Sequence, residues 1–112
     1  MHIGWVGGLE RNDATLEQLA APAGHKLEIH NGDVRGNGFK ALRGLVKRSR
    51  FVIILTTINS HQGVQLTKRL AHKYNCPSVV MQRCGQSRFR QLLTAIDQHD
   101  GKILQRVSNI YN

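Results

Sequence analysis

Two histidines and one cysteine are the side chains of this sequence best suited to chemistry. His30 ends a predicted strand, and His61 and Cys84 each come shortly after one. Imidazole and thiolate groups ligate transition metals, and imidazole also moves protons or contacts phosphate. The three residues lack the close spacing of a specific metal motif. The alternative is that loop backbone hydrogen-bonds the histidines and that the thiol is half-buried.

Small and polar residues near these side chains suit the binding of an anion. Glycine lets a ligand approach the backbone, hydroxyls donate hydrogen bonds, and helix amino ends present N–H groups. The candidate ligand or phosphate site is Gly7, Gly8, His30, Asn31, Thr56, Thr57, Ser60, His61, Gly85 and Ser87. Gly7-Gly8 lacks the rest of a dinucleotide fingerprint, and neither Ser60 nor Ser87 has a base at fixed spacing. Both serines are expected to cap helices. We therefore expect no catalytic residue, and a binding protein rather than an enzyme.

Hydrophobic periodicity predicts the elements that hold these residues. Predicted strands at 2–6, 26–30, 51–56 and 78–82 alternate with amphipathic helical patterns. The continuous apolar run from Phe51 to Leu55 is typical of a central strand with helices on both sheet faces. Strands joined by crossover helices are parallel. We expect an α/β fold, an open Rossmann-like three-layer sandwich of four parallel strands in the order 2-1-3-4.

This fold would bring the candidate residues together. Ligands of open parallel sheets bind beyond the carboxyl ends of the strands, and each candidate loop follows a predicted strand. Residues 1–100 are expected to form one domain. Residues 101–112 are expected to be a tail or an extra element, suited to contact with another copy in a homodimer or higher oligomer.

Positive charge is the strongest compositional signal. The chain has 16 Lys and Arg residues against 7 Asp and Glu, for a net charge of +9. Residues 1–34 carry two basic and five acidic residues, whereas residues 35–112 carry fourteen and two. Such a surface attracts phosphate-rich polymers. The candidate nucleic-acid-binding residues are Lys47, Arg48, Arg50, Lys68, Arg69, Lys73, Arg83, Arg88 and Arg90.

Aromatic residues make up only 5% of the chain, which limits base stacking. Phe39 is expected to lie inside the fold. The remaining candidates for stacking are Tyr74, Phe89 and Tyr111. Contact with a nucleic-acid backbone is therefore the expected mode of binding.

Several features predict a cytoplasmic protein without a membrane partner. The apolar run at 51–55 is far too short to cross a bilayer, and the first residues lack the regions of a signal peptide. The two cysteines flank one predicted strand, which favours reduced thiols over a disulfide.

A set of these residues resembles the DUF2325 domain, a bacterial family. The shared features are Gly7-Gly8, His30-Asn31-Gly32, Ile53-Ile54-Leu55-Thr56, Ser60-His61, Lys68, Ala71, Lys73, Pro77, Gly85 and Ser87. The resemblance covers residues 2–98, and residues 56–77 carry most of its specificity. It implies a compact Rossmann-like domain and draws attention to His30 and His61. Ser49-Arg50 replaces an acidic residue expected before the third strand, a change that suits an acidic partner.

Three functions are consistent with these observations. The first is a non-enzymatic binding or regulatory module that contacts nucleic acid or another polyanion, with a ligand site at the strand ends. The second is a sensor that binds a transition metal or haem through His30, His61 and Cys84. The third is an interaction subunit that assembles through an exposed sheet edge or the tail.

Overall fold

Strands and helices alternate along the chain, as the periodicity predicts. The computed structural model describes residues 1–8, 13–57 and 59–99. The strands are β1 (His2–Val6), β2 (Lys26–His30), β3 (Phe51–Leu55) and β4 (Ser78–Met81). The helices are α1 (Asp13–Ala20), α2 (Asn37–Arg48), α3 (His61–Lys73) and α4 (Gln86–His99), and a 3₁₀ turn at Ala21–Ala23 follows α1. The predicted tail at 101–112 lies outside the described residues.

The four strands form one parallel sheet in the order β2-β1-β3-β4, which confirms the predicted topology. β1 pairs with β2 on one side and with β3 on the other, and Ile3 faces Leu27 and Phe51 across the two ladders. Every residue of β3 is buried. Its unbroken apolar run reflects helices on both faces of the sheet.

The helices cover the two faces in pairs and complete the three-layer sandwich. Leu16 of α1 and Leu92 of α4 belong to one buried cluster, in which the Trp5 and Phe89 rings meet edge to face at 5.4 Å. Leu42 of α2 and Val64 of α3 belong to the cluster on the opposite face. Among the described residues, no helix is both long enough and apolar enough to cross a membrane.

One of the two predicted capping serines caps its helix, and the other does not. Ser60 caps α3, because its Oγ accepts a hydrogen bond of 2.8 Å from the Gly63 N–H. The predicted cap at Ser87 is wrong. α4 begins at Gln86, and the Phe89 N–H donates to the Gly85 carbonyl, so Ser87 lies inside the first turn.

Candidate ligand cleft and basic surface

Successive strand-end loops contact one another at the carboxyl edge of the sheet. The Gly7 N–H donates to the His30 carbonyl, and the Thr57 N–H donates to the Gln82 carbonyl. The Ser60 hydroxyl donates to the Gly32 carbonyl at 2.6 Å. The loops after β2 and β3 therefore meet over the end of β1. The four loops form one rim, and this rim carries His30 and His61.

The His30 ring is fully engaged by loop backbone. Its Nδ1 accepts a hydrogen bond of 2.9 Å from the Gly32 N–H, so we assign the ring proton to Nε2. Nε2 then donates to the Gly38 carbonyl at 2.9 Å. His30 thus fastens its loop to the first turn of α2, and in this tautomer neither nitrogen is free to ligate a metal.

Asn59 fills the crevice between β1 and β3, where ligands of this fold class usually bind. Its Nδ2 donates to the Leu55 carbonyl at 2.8 Å and to the Val6 carbonyl at 3.4 Å. A Cβ atom added at Gly7, Gly32 or Gly63 would lie within 3 Å of the Asn59 side chain. The three glycines therefore serve the packing of the loops around Asn59, a residue that the candidate site did not include.

The proposed metal ligands are not gathered into one set. Within the described ranges, no group of three His, Cys, Asp or Glu side chains could hold a metal ion. His61 is the exposed first residue of α3, whereas Cys84 packs against the cluster formed by α1 and α4. Burial raises the pKa of the Cys84 thiol to about 12, although the charge of Arg88 acts in the opposite direction. The metal-sensor hypothesis gains no support from this geometry.

Two cavities lie on the rim, beside β4 and the start of α4. One cavity of about 660 Å³, which we call the cation chamber, is lined by Thr57, Gln82, Arg83, Gly85, Gln86, Ser87 and Arg88. A second cavity of about 260 Å³, which we call the apolar slot, is lined by Trp5, Gly8, Leu16, Leu55, Cys84, Gly85 and Gln86.

The two cavities combine predicted and unpredicted residues. Of the candidate ligand residues, Gly8, Thr57, Gly85 and Ser87 line one or both of them. Trp5 and the two glutamines were not predicted as site residues. The glutamines flank the Arg83–Gly85 loop, and this flanking position is the signal that could have found them.

Basic side chains cover the outer surface of α2 and α3. No acidic residue occurs from position 34 to position 96, a stretch with twelve Lys and Arg residues. We call the exposed side of these packed helices the α2/α3 face. It carries seven exposed cations: Lys40, Arg43, Lys47, Arg48, Lys68, Arg69 and Lys73.

One cation of this face is neutralised by a carboxylate. Arg48 forms a two-pronged pair with Glu28, which also accepts a hydrogen bond from His2 at 2.7 Å. In the described part of the chain, no ion pair joins the other six to an acidic residue. Of the remaining predicted nucleic-acid ligands, Arg83 precedes α4, and Arg88 and Arg90 lie on it. Arg50 precedes β3 and lines a cavity together with Lys47 and Tyr74. The nine predicted residues therefore do not form one surface.

The aromatic residues differ from the sequence prediction. Phe89 is completely buried against Trp5, whereas Phe39, expected inside, is 38% exposed on α2. The Tyr74 ring has the Nζ atoms of Lys47 and Lys73 at 5.3 and 5.6 Å from its centre. Cation–π contacts therefore hold two ammonium groups at the carboxyl ends of α2 and α3.

Comparison with known proteins assigns the chain to a family. The model of the family described as "Uncharacterized protein conserved in bacteria (DUF2325)" matches residues 2–96. UPF0751 proteins of Bacillus anthracis, including those of strains CDC 684 and A0248, are 28% identical over 74 residues. The alignment covers 66% of this chain and 75% of those relatives. No solved structure matches the chain. The match over almost the whole described length shows that this chain belongs to the DUF2325 family.

Proposed function

We propose that this protein is a non-enzymatic binding module that contacts nucleic acid or another polyanion through its α2/α3 face. The observation that carries the proposal is the six basic side chains of that face without a carboxylate partner in the described residues. Adjacent like charges destabilise a folded chain unless a polyanion neutralises them. A phosphate polymer would do so and would release its condensed counterions.

The shape of the face favours contact with the nucleic-acid backbone. Its cations lie on two helices that pack side by side, so they form a broad surface rather than a groove. Tyr74 is already contacted by two lysines, and Phe39 is the large apolar side chain exposed there. Phosphate contacts position a protein without reading bases. We therefore propose binding with little sequence preference.

Two features of the rim support a non-enzymatic function. The Ser60 hydroxyl donates to the Gly32 carbonyl and accepts from the Gly63 N–H, so it acts as a structural group. The raised pKa of the Cys84 thiol keeps it protonated near neutral pH, and a thiol in that state is a poor nucleophile. The rim is thus better suited to hold a ligand than to attack one.

Salt-dependent binding of a labelled DNA duplex, followed by fluorescence anisotropy, tests the proposal. Engagement of four to six cations predicts a log–log slope of affinity against salt of roughly −4 to −5. Charge reversal on α3, as Lys68→Glu or Arg69→Glu, should weaken binding about tenfold or more. The control is Lys26→Glu, which makes the same charge change at an exposed residue of β2.

Two results would contradict the proposal. The first is the absence of binding at about 50 mM salt, where counterion release is strongly favourable. The second is an equal loss of affinity in Lys26→Glu and Lys68→Glu. Equal loss would mean that net charge matters and that the α2/α3 face has no special role.

A further inference from the structure

An aromatic ring and two cations share one side of α2. Phe39, Arg43 and Lys47 are spaced four residues apart, which places them on successive turns of the same side of the helix. All three side chains are exposed. A rise of about 1.5 Å per residue separates the first from the last by roughly 12 Å along the helix axis. We call these three residues the α2 track.

The α2 track ends beside the carboxyl end of α3. The Lys47 ammonium group lies 5.3 Å from the centre of the Tyr74 ring, and Tyr74 directly follows α3. Lys47 and Tyr74 line a cavity of about 310 Å³ together with Arg50. Within the described ranges, no ion pair joins Arg43, Lys47 or Arg50 to a carboxylate. The track therefore leads from an aromatic ring to a cavity with two cations on its lining.

The Phe39 ring has open space beside it. Phe39 is the one large hydrophobic residue that is exposed in the described part of the chain. A helical side chain leans towards the amino end of its helix, over the preceding turn. That turn includes Gly36, where an added Cβ atom would meet nothing within 4 Å. A planar group can therefore approach the ring from this side.

We propose that the nucleic acid bound by the α2/α3 face is single-stranded and that one of its bases stacks on Phe39. The backbone then follows the α2 track, with phosphates at Arg43 and Lys47. A single strand can turn a base face towards an exposed ring, whereas the bases of a duplex are stacked on one another. Every base has a face for stacking, so this mode agrees with binding of little sequence preference. The inference rests on the proposed function and names its substrate class.

Fluorescence anisotropy with three labelled probes tests the inference. The probes are a short oligothymidylate strand, an abasic strand with the same number of phosphates, and a duplex of the same length. The abasic strand keeps the charge of the first probe but has no base to stack. The parent protein should therefore bind the oligothymidylate about fivefold or more tightly than the abasic strand.

Two variants of Phe39 separate stacking from general apolar contact. Phe39→Leu keeps an apolar side chain but removes the ring, so it should bind the oligothymidylate and the abasic strand within about twofold of each other. Phe39→Trp should retain the preference for the strand with bases. Both variants should bind the duplex like the parent. Circular dichroism shows whether each variant is folded.

Substitution of Arg43 tests the path of the backbone. Arg43→Gln should weaken the oligothymidylate and the abasic strand by the same factor, because both probes carry phosphates. It should also reduce the log–log salt slope by roughly 0.7, the loss expected for one phosphate contact of a single strand. Lys26→Gln, which removes one charge at an exposed residue of β2, is the matched control and should leave the slope closer to that of the parent.

Three results would overturn the inference. The parent binds the abasic strand as tightly as the oligothymidylate, Phe39→Leu keeps the preference for bases, or Arg43→Gln binds like Lys26→Gln. The α2/α3 proposal stands after any of these results if the duplex still binds and Lys68→Glu still weakens it. Absence of binding by all three probes would instead contradict both proposals.

Discussion

At the residue scale, the packing of the rim loops depends on Gly32, Gly63 and Asn59. Gly63 is the third residue of α3, and the position requires glycine. A Cβ atom added there would lie 2.4 Å from the Gly32 carbonyl oxygen. Gly32 has a φ of +91°, a conformation that side chains disfavour. Asn59 lies between these glycines, and its Oδ1 is buried with no partner among the described groups. The close approach of these loops therefore depends on the absence of a Cβ atom at Gly32 and at Gly63.

Two glycine-to-alanine substitutions in helices should have opposite effects on stability. Gly63→Ala should lower the free energy of unfolding by about 1–3 kcal/mol, because backbone at Gly32 cannot move aside easily. Gly44→Ala in α2 should raise it by up to about 1 kcal/mol, since the new methyl meets only the flexible end of Arg48. Urea unfolding followed by Trp5 fluorescence measures both. Equal stability of Gly63→Ala and the parent would contradict the role given to Gly63.

The sequence predicts where His30 lies, but it leaves the role of the ring open between metal ligation and hydrogen bonding to loop backbone. The end of the predicted strand at 26–30 locates His30 on the rim, and that position follows from the hydrophobic pattern and the turn after it. Its bonds to Gly32 and Gly38 depend on the path of a loop, which no periodicity encodes. The same limit applies to Asn59, whose side chain contacts Val6 and Gly32, which lie 27 or more positions away in the chain.

At the element scale, one carboxylate fastens the edge strand β2 to its neighbours. Glu28 of β2 pairs with Arg48 of α2 and with His2 of β1. The hydrogen bond from Arg48 lowers the pKa of Glu28 most strongly, and His2 adds to that effect, while partial burial opposes it. Arg48 is thereby used inside the fold. It is the member of the α2/α3 face least available to a partner.

Substitution of Glu28 should have a pH-dependent cost. Because the folded pKa lies below the ordinary value of 4.5, the carboxylate stabilises the fold above that pH and loses its effect as pH falls through the folded pKa. Glu28→Gln should cost less than about 1 kcal/mol at pH 7, since solvent screens the pair. The cost should shrink towards pH 3. Urea unfolding at both pH values, with the exposed Glu17→Gln as control, measures it; a cost independent of pH would contradict the role of charge.

Strands are better predicted than helix starts in this chain. β1 and β2 have the predicted bounds, because the hydrophobic pattern and the turns after each strand indicate where it ends. α4 starts one residue before the expected cap, since a free serine hydroxyl does not by itself determine where a helix begins. Phe39 follows the helical period of α2 but lies at the margin of its buried stripe. Periodicity identifies which side of a helix is buried but not how wide the buried stripe is.

At the scale of the whole molecule, the sheet lies between the α2/α3 face and the apolar slot. The α2/α3 face and the helix pair α1/α4 lie on opposite sides, so a polymer bound to the face would not cover the apolar slot. The sequence predicts an excess of positive charge but not this division. Lys68 and Arg83 appear equivalent in a count of charges, although Lys68 lies on α3 and Arg83 lies between β4 and α4.

Salt should stabilise this protein in the absence of any partner. Six cations without a carboxylate partner in the described residues repel one another, and added salt screens that repulsion. Raising sodium chloride from about 50 to 300 mM should increase Tm by about 2–6 °C. Lys68→Glu should reduce this increase, and Lys26→Glu should reduce it less. Thermal unfolding followed by circular dichroism measures the effect; a Tm that falls with salt would contradict it.

The position of β1 in the middle of the sheet has a consequence for the order of folding. β1 precedes every other strand in the chain, yet its second neighbour, β3, is complete only at Leu55. During synthesis, one edge of this apolar strand stays open until β3, which ends at Leu55, has left the ribosome. Pairing between such distant segments is slow, and it leaves unpaired, aggregation-prone strand edges exposed. We therefore expect the open edge of β1 to be prone to aggregation until β3 docks.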